Sequence, residues 1–407
     1  MSPTSLLEPE WLRSLSQSQP NVAELLSKSL EQQRHLGYFH TLREICQQPS
    51  TWERTCALMC EKAGDLHSAL AGISTLILTG SGSSEYAGDC VRGSLQSELG
   101  VVTQAIGGGA LLAHGSSALP PGKPGLMVSL ARSGDSPESV GAVALMLRTQ
   151  PDIRQLVLTC NQAGSLARTY EHDPRVAVIV LDEQTNDRGL VMTSSFTNLV
   201  LAARFLGLSQ QPARYQAICE QVVKVASAFI RDDLGKLVTV ARAPFNRALF
   251  LGDGSRFGAA REAALKMLEM TGGRVATMCE TYLGLRHGPM SYVHEDTLVV
   301  CFLSSDSTLR AYQADLLREL DQKGLGLLKV VVGEAVPTDL LRERDLLLEC
   351  KGLEQLGDDN FAVIDVIAGQ LLAFFRCLEE GLRPDSPSED GVISRVVRSF
   401  ALHLPED

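Results

Sequence analysis

Two glycine-rich turns, each closing an apolar run, constrain this chain more than any other feature of its sequence. The first turn is LTGSGSS at 78–84, and the second is LGDGSR at 251–256, about 170 residues later. Such a turn from a strand into a helix exposes backbone N–H groups at the positive end of the helix dipole, where an anion is favoured. The repetition predicts a duplicated α/β domain with a site for a phosphorylated small molecule.

Apolar runs with little polar alternation recur through both halves of the chain. Runs of this kind are typical of parallel strands that are covered by helices on both faces. They predict strands at 75–78, 126–130, 156–159 and 176–181 in the first unit, and at 248–251, 297–303, 327–332 and 346–348 in the second.

The segments around these strands are predicted to be helical, except at the C-terminus. Residues 210–245 predict a pair of linking helices, and the strongly apolar stretch 361–378 predicts a buried helix. The tail turns apolar at 392–397, which predicts an ordered extension packed back near the site. We therefore expect a helical segment over 1–45, a first α/β unit over 46–210, a second with linking helices over 211–383, and the tail over 384–407.

The composition of the chain excludes several classes of partner. The net charge is −11, so nucleic acid and anionic membranes are poor partners. No apolar stretch approaches the ~20 residues that span a bilayer, so no membrane association is expected. The first residues carry no basic segment followed by an apolar core, so we expect a cytoplasmic protein rather than a secreted one.

The ten cysteines are scattered, and none forms a Cys-x-x-Cys pair. Cys56 and Cys60 lie one helical turn apart, but no neighbouring cluster supplies further metal ligands. We interpret them as structural thiols in a reducing compartment. The sequence accordingly predicts no metal and no other cofactor.

A serine-rich loop after the apolar run 126–130 supplies a second set of anion donors. Arg132 offers a charge, and Ser133 and Ser136 offer hydroxyls, which together suit a phosphate monoester. The alternative is a serine-rich cap on the helix that begins after Pro137. Because this loop occurs together with the first glycine-rich turn, we prefer its interpretation as a phosphate site. The predicted binding residues are Ser83, Ser84, Arg132, Ser133 and Ser136, with Thr193 and Ser194 of a third hydroxyl-rich loop closing the pocket.

These motifs together resemble the sugar isomerase (SIS) domain family. The matching segments are GSGSS at 80–84, SGDS at 133–136 and TSSFT at 193–197. In the second unit, LKMLE at 265–269 and RHGP at 286–289 resemble the second SIS domain of the isomerase half of glucosamine-6-phosphate synthase. The resemblance implies an α/β fold of two tandem SIS domains, each a doubly wound, five-stranded parallel sheet flanked by helices.

A narrower resemblance, through 187–197, 285–289 and 384–397, is to the SIS proteins of bacterial galactosamine catabolism. These proteins are described as galactosamine-6-phosphate deaminase/isomerases and as tagatose-6-phosphate ketose/aldose isomerases. The resemblance implies deamination and isomerisation of galactosamine 6-phosphate to tagatose 6-phosphate and ammonia. Two alternatives stay open: a ketose/aldose isomerase without deaminase activity, and a non-catalytic sugar-phosphate sensor.

The resemblance also implies roles for residues whose spacing alone is not diagnostic. Lys266 and Glu269, three residues apart, would be an ordinary surface pair by spacing, but they fall on the family's catalytic lysine and base. His287 falls on the residue that opens the sugar ring from a neighbouring subunit, which implies a homodimer or larger assembly. Arg395 or Arg398 is the counterpart of a tail lysine that touches the sugar.

Overall fold

The computed structural model describes residues 10–388, 390–397 and 400–403. Its N-terminal part is helical, as predicted, and packs beside the two α/β units. The apolar residues of these helices, such as Trp52 and Met59, join a core that also contains residues of both sheets. The helices are α1 (Glu10–Ser18), α2 (Pro20–Ser27), α3 (Leu30–Leu36), α4 (Phe39–Cys46), α5 (Gln48–Glu61) and α6 (Ala63–Leu70).

The first unit contains a five-stranded parallel sheet in the order β2-β1-β3-β4-β5. Alternate residues of β1 enter different cores, Leu76 on one face and Ile77 on the other, because helices cover both faces. The strands are β1 (Thr75–Gly80), β2 (Val102–Gly107), β3 (Gly125–Ala131), β4 (Ile153–Thr159) and β5 (Val176–Val180). The helices are α7 (Ser83–Leu99), α8 (Gly108–His114), α9 (Pro137–Thr149), α10 (Ser165–Tyr170) and α11 (Ser194–Phe205).

Helix α12 (Pro212–Ala241) then leads into the second unit. Its parallel sheet has the order β10-β9-β8-β6-β7, which repeats the topology of the first. The strands are β6 (Arg247–Leu251), β7 (Ala276–Glu280), β8 (Thr297–Phe302), β9 (Leu328–Gly333) and β10 (Leu346–Glu349). The helices are α13 (Ser255–Met270), α14 (Tyr282–Leu285), α15 (Ser307–Gln322), α16 (Leu353–Leu356) and α17 (Asp358–Glu379).

The two glycine-rich turns adopt the same backbone conformation, which confirms the predicted duplication. Gly82 has φ 58° and ψ −125°, and Gly254 has φ 56° and ψ −131°. A side chain at either position would be strained, because positive φ disfavours residues with a Cβ. Each turn carries the chain from the first strand of its sheet into a long helix, α7 or α13.

Two sequence predictions about helices are corrected by the structure. The expected helix pair over 210–245 is the single helix α12, which runs through Gly235 without a break. A Cβ at this position would lie 2.8 Å from Oε1 of Gln19, so the glycine leaves room for that side chain. By length and composition alone, helix α17 is long and apolar enough to cross a bilayer. The sequence-based expectation that no stretch of the chain approaches this length is therefore wrong. Helix α17 is nevertheless a core helix, 94% buried, and packs against α12 and α13.

The cysteine prediction is also corrected. Cys56 of α5 is joined to Cys219 of α12 in a disulfide rather than remaining a free thiol. Cys60 is a free, partly buried cysteine. The bond ties the N-terminal helices to the helix that links the two units.

Candidate active site

A cavity of about 610 Å³ lies at the carboxyl ends of β1 and β3, between the two units. The strand order reverses at these two strands, and such a crevice is where open α/β sheets bind ligands. The first unit contributes the turn after β1 and the loop after β3. Helix α13 contributes Leu265, Lys266 and Glu269, and the C-terminal tail contributes most of 391–397.

The serine side of the cavity contains four of the predicted phosphate ligands: Ser83, Ser84, Ser133 and Ser136. Ser136 occupies the N-cap position of α9, yet its side chain makes no capping hydrogen bond. This geometry weighs against the helix-cap alternative and leaves the hydroxyl available to a ligand. Ser83 and Ser84 open α7 at the positive end of its dipole, and the Ser84 N–H donates to the carbonyl of Ser81 at 3.3 Å. The arrangement can hold a dianionic phosphate by hydroxyls and backbone donors together.

Arg132 lines the same cavity, but its guanidinium is engaged by the protein backbone. It donates to the carbonyl of Leu190 at 2.9 Å and to the carbonyl of Arg395. Burial lowers the pKa of Arg132 from its ordinary value, and the nearby charge of Arg395 acts in the same direction. Arg132 therefore couples the phosphate side of the cavity to the tail that covers it.

Thr193 and Ser194 do not face the cavity, so their predicted role as substrate ligands is corrected. The Asp187 carboxylate accepts from the Thr193 hydroxyl at 2.9 Å and from the N–H groups of Thr193 and Ser194 at 2.7 and 2.9 Å. The Ser194 hydroxyl donates to the carbonyl of Glu44 at 2.6 Å. An internal carboxylate thus fills the N-terminus of α11, and these hydroxyls fix the loop instead of binding a ligand.

Lys266 and Glu269 meet in the cavity as the sequence predicts. Nζ of Lys266 lies 2.5 Å from Oε2 of Glu269 and donates to Oγ of Ser83 at 3.1 Å. Lys266 is fully buried, whereas the Glu269 side chain is 23% exposed and reaches the open space. The helix of the second unit therefore places a carboxylate beside the serines of the first.

Glu262 completes this cluster and was not predicted from the sequence. It is fully buried one turn before Lys266, with Oε1 at 3.3 Å from Nζ, and neither of its oxygens has a hydrogen bond of good geometry. Burial, and then the charge of Glu269, raise the pKa of Glu262 to about 7. Burial by itself would lower the pKa of Lys266, but the charges of Glu262 and Glu269 outweigh this effect, so the pKa is raised. In the sequence, the Glu-x-x-x-Lys spacing to Lys266 is the signal that could have identified Glu262.

The tail residues Gly391–Val397 lie over the cavity, and Arg395 anchors them. Its guanidinium donates to the carbonyl of Asp187 at 2.7 Å and to Oδ1 of Asn186 at 2.5 Å. The charged group of Arg395 is thus held by the 186–187 segment, and its backbone carbonyl faces Arg132. Arg398 lies outside the described residues.

His287 does not line this cavity. It follows α14 on the surface of the second unit and is exposed. Within one chain, the structure therefore brings together the serines, Lys266 and Glu269, but leaves His287 apart from them.

The second glycine-rich turn does not form a comparable anion site. Ser255 donates to Oδ1 of Asp359 at 2.5 Å, and the Ser305 N–H donates to Oδ1 of Asp358 at 3.1 Å. The Ser304 hydroxyl also donates to Asp358. Two carboxylates at the start of α17 occupy the donors that an anion would use, and their charge repels a phosphate. The interpretation of this turn as a phosphate-binding signature is corrected.

We accordingly expect one sugar-phosphate site per chain rather than two. Titrating the purified protein with a hexose 6-phosphate in a calorimeter should give a stoichiometry of one ligand per chain. Ser84→Ala should weaken that single transition, whereas Ser255→Ala should leave the affinity unchanged. Two ligands bound per chain would contradict the assignment.

Comparisons with known proteins agree with this fold. The family model described as "SIS domain" matches residues 243–374. The chain is 37% identical over 376 residues to the AgaS protein of Streptomyces coelicolor, covering 90% of this chain and 96% of that protein. It is 32% identical over 386 residues to the D-galactosamine-6-phosphate deaminase AgaS of Shewanella sp. strain ANA-3, covering 92% and 94%. The crystal structure of tagatose-6-phosphate ketose/aldose isomerase from Escherichia coli has a TM-score of 0.78 and 30% identity, covering 87% and 95%.

Proposed function

The chain belongs to the AgaS family of SIS-domain proteins, and on this premise we propose that it converts galactosamine 6-phosphate and water to tagatose 6-phosphate and ammonia. The observation that carries the proposal is the position of Glu269. Its carboxylate lies beside the buried Lys266 and shares one cavity with the serines of the β1 and β3 loops. A phosphate held at the serines would place the other end of a six-carbon sugar near Glu269.

The proposed chemistry moves a proton between two neighbouring carbons. In the open-chain amino sugar, the Glu269 carboxylate takes the proton from C2 and forms an enolamine. Returning a proton to C1 gives an imine at C2, and water adds there as ammonia leaves. A single carboxylate on one face can perform both proton transfers.

Lys266 supplies the positive charge that this pathway requires. With its pKa raised, the ammonium group stays protonated at neutral pH. An ammonium placed where negative charge develops on O1 stabilises the enolamine-forming transition state. Its hydrogen bond to Ser83 also fixes it relative to the phosphate side of the cavity.

We also propose that the active form is a cytoplasmic homodimer or larger assembly. His287 is exposed and lies outside its own chain's cavity, so it is free to reach the site of a second subunit. There it would pass a proton between O1 and O5 of the ring, because the two ring nitrogens of an imidazole can donate and accept a proton. This step would supply the open-chain sugar on which Glu269 acts.

The alternative is an aldose–ketose isomerase that releases no ammonia, and the name of the Escherichia coli structure favours it. The same base and the same type of intermediate serve both reactions, so the products must decide. We would incubate the purified chain with galactosamine 6-phosphate and measure ammonia and ketose phosphate together. The proposal predicts both products, whereas the alternative predicts no ammonia from the amino sugar but interconversion of galactose 6-phosphate and tagatose 6-phosphate.

Ser133→Ala is expected to raise KM for galactosamine 6-phosphate by about 10- to 100-fold, since a hydrogen bond to a charged group contributes about 1.5–3 kcal/mol. The fall in kcat should be much smaller, because the phosphate is held equally in the ground and transition states. Ser165→Ala is the matched control, because its hydroxyl donates to Asp135 outside the cavity. A fall in kcat with unchanged KM would contradict the assignment of Ser133.

A further inference from the structure

Two oxygen atoms in the wall of the cavity are buried and have no hydrogen-bond partner among the residues that the structure describes. They are Oε2 of Glu138, in the first turn of α9, and Oγ of Ser81, in the turn after β1. Both residues line the cavity that contains Glu269. A buried carboxylate oxygen without a donor is costly, so its retention in a ligand cavity points to a donor that the ligand supplies.

The backbone of Gly108 closes this corner from behind. A Cβ on Gly108 would lie 3.2 Å from Oγ of Ser81 and 3.4 Å from Cβ of Glu138. The two side chains are thus neighbours around one glycine, which begins α8. Because both residues line the cavity, a ligand bound there can supply the donors that these atoms lack.

Resting on the proposed function, we infer that Glu138, with Ser81, accepts a hydrogen bond from the C4 hydroxyl of the sugar and makes the site selective for the galacto configuration. Glu138 is two residues from Ser136, so it lies close to the phosphate on C6. Glu269 lies on the second unit, across the cavity, and is assigned to C1 and C2 of the sugar. The groups left for Glu138 are the hydroxyls between these ends.

The charge of the Glu138 carboxylate decides which kind of ligand group it can bind. An ionised carboxylate only accepts hydrogen bonds and repels the phosphate, so it requires a hydroxyl donor. Of the hydroxyls at C3, C4 and C5, only the one at C4 differs in configuration between the galacto and gluco series. A site built to pair with a substrate hydroxyl rejects the analogue that cannot pair with it, because the site's polar group is left unsatisfied.

The test compares the binding of tagatose 6-phosphate and fructose 6-phosphate, which are epimers at C4, by calorimetry. Wild-type protein should bind tagatose 6-phosphate about 10- to 100-fold more tightly, the range expected for one hydrogen bond to a charged group. Glu138→Met, similar in length and helix propensity but without an acceptor, should bring the ratio close to one. Glu138→Gln keeps one acceptor oxygen and should restore part of the preference.

Glu85→Met is the matched control. Glu85 also lies in the first turn of a helix, but it pairs with Arg261 and does not line the cavity, so the ratio should stay at the wild-type value. Equal weakening of both epimers by Glu138→Met, or no preference in the wild type, would overturn the inference while leaving the proposed function intact. Failure of the wild type to bind either ketose phosphate would contradict both.

Discussion

Glu269→Gln is expected to lower kcat for ammonia release by about 10²- to 10⁴-fold, the usual cost of losing a general base. The amide nearly preserves the shape of the side chain and its contact with Lys266, but it has no basic carboxylate. Binding of galactosamine 6-phosphate should change little, because the serines across the cavity hold the phosphate. This is the largest effect on activity that the site geometry predicts.

Two measurements check this result. Ammonia release gives kcat, and exchange of the C2 proton with solvent deuterium should fall in parallel because the same carboxylate performs it. Glu220→Gln, an exposed glutamate of α12, is the matched control and should retain wild-type rates. Exchange at the wild-type rate in Glu269→Gln would exclude Glu269 as the base.

Arg256→Met is expected to destabilise the fold by about 3–5 kcal/mol, because it leaves a buried charge without its partner. Nε and Nη2 of Arg256 each lie 2.7 Å from an oxygen of Asp365, and both side chains are almost fully buried. The guanidinium also donates to the carbonyls of Leu303 and Val332, next to the ends of β8 and β9. Its loss therefore strands the Asp365 carboxylate and the Leu303 carbonyl in the core, whereas the Val332 carbonyl still accepts from the Leu303 N–H at 2.9 Å.

The free energy of unfolding from urea titration measures this cost. Arg247→Met is the matched control, since Arg247 pairs with Asp296 near the surface and should contribute at most about 1 kcal/mol. If Arg256→Met does not fold, the double variant Arg256→Met with Asp365→Leu should, because apolar residues can replace a buried ion pair. A loss below about 1 kcal/mol in the single variant would contradict the account.

The strands that the sequence predicts are those whose residues form a nearly continuous apolar run. Strands β1, β3, β8 and β9 are buried on both faces, so their apolar runs are continuous. Edge strands β2 and β7 were missed because polar residues interrupt their apolar pattern. The other two edge strands, β5 and β10, were predicted because their sequences, VAVIV and LLLE, are nearly all apolar. The repeated glycine-rich turn was predictable, since its positive φ requires glycine.

The parts of the site that escaped prediction depend on carboxylates from distant segments. Asp187 fills the N-terminus of α11, and Asp358 with Asp359 fills the second turn; nothing in the local motifs reveals these partners. Hydroxyl-rich loops alone therefore could not distinguish Ser133, which lines the cavity, from Thr193, which does not. Lys266 and Glu269 were predicted as site residues only because the family resemblance added to their ambiguous spacing, and their catalytic roles are a proposal.

The proposed deamination is tested most directly by the ratio of products that the purified protein forms from galactosamine 6-phosphate. We expect one ammonia for each tagatose 6-phosphate, with both products reduced together by Glu269→Gln. No ammonia from galactosamine 6-phosphate, under conditions where the same protein interconverts galactose 6-phosphate and tagatose 6-phosphate, would contradict it.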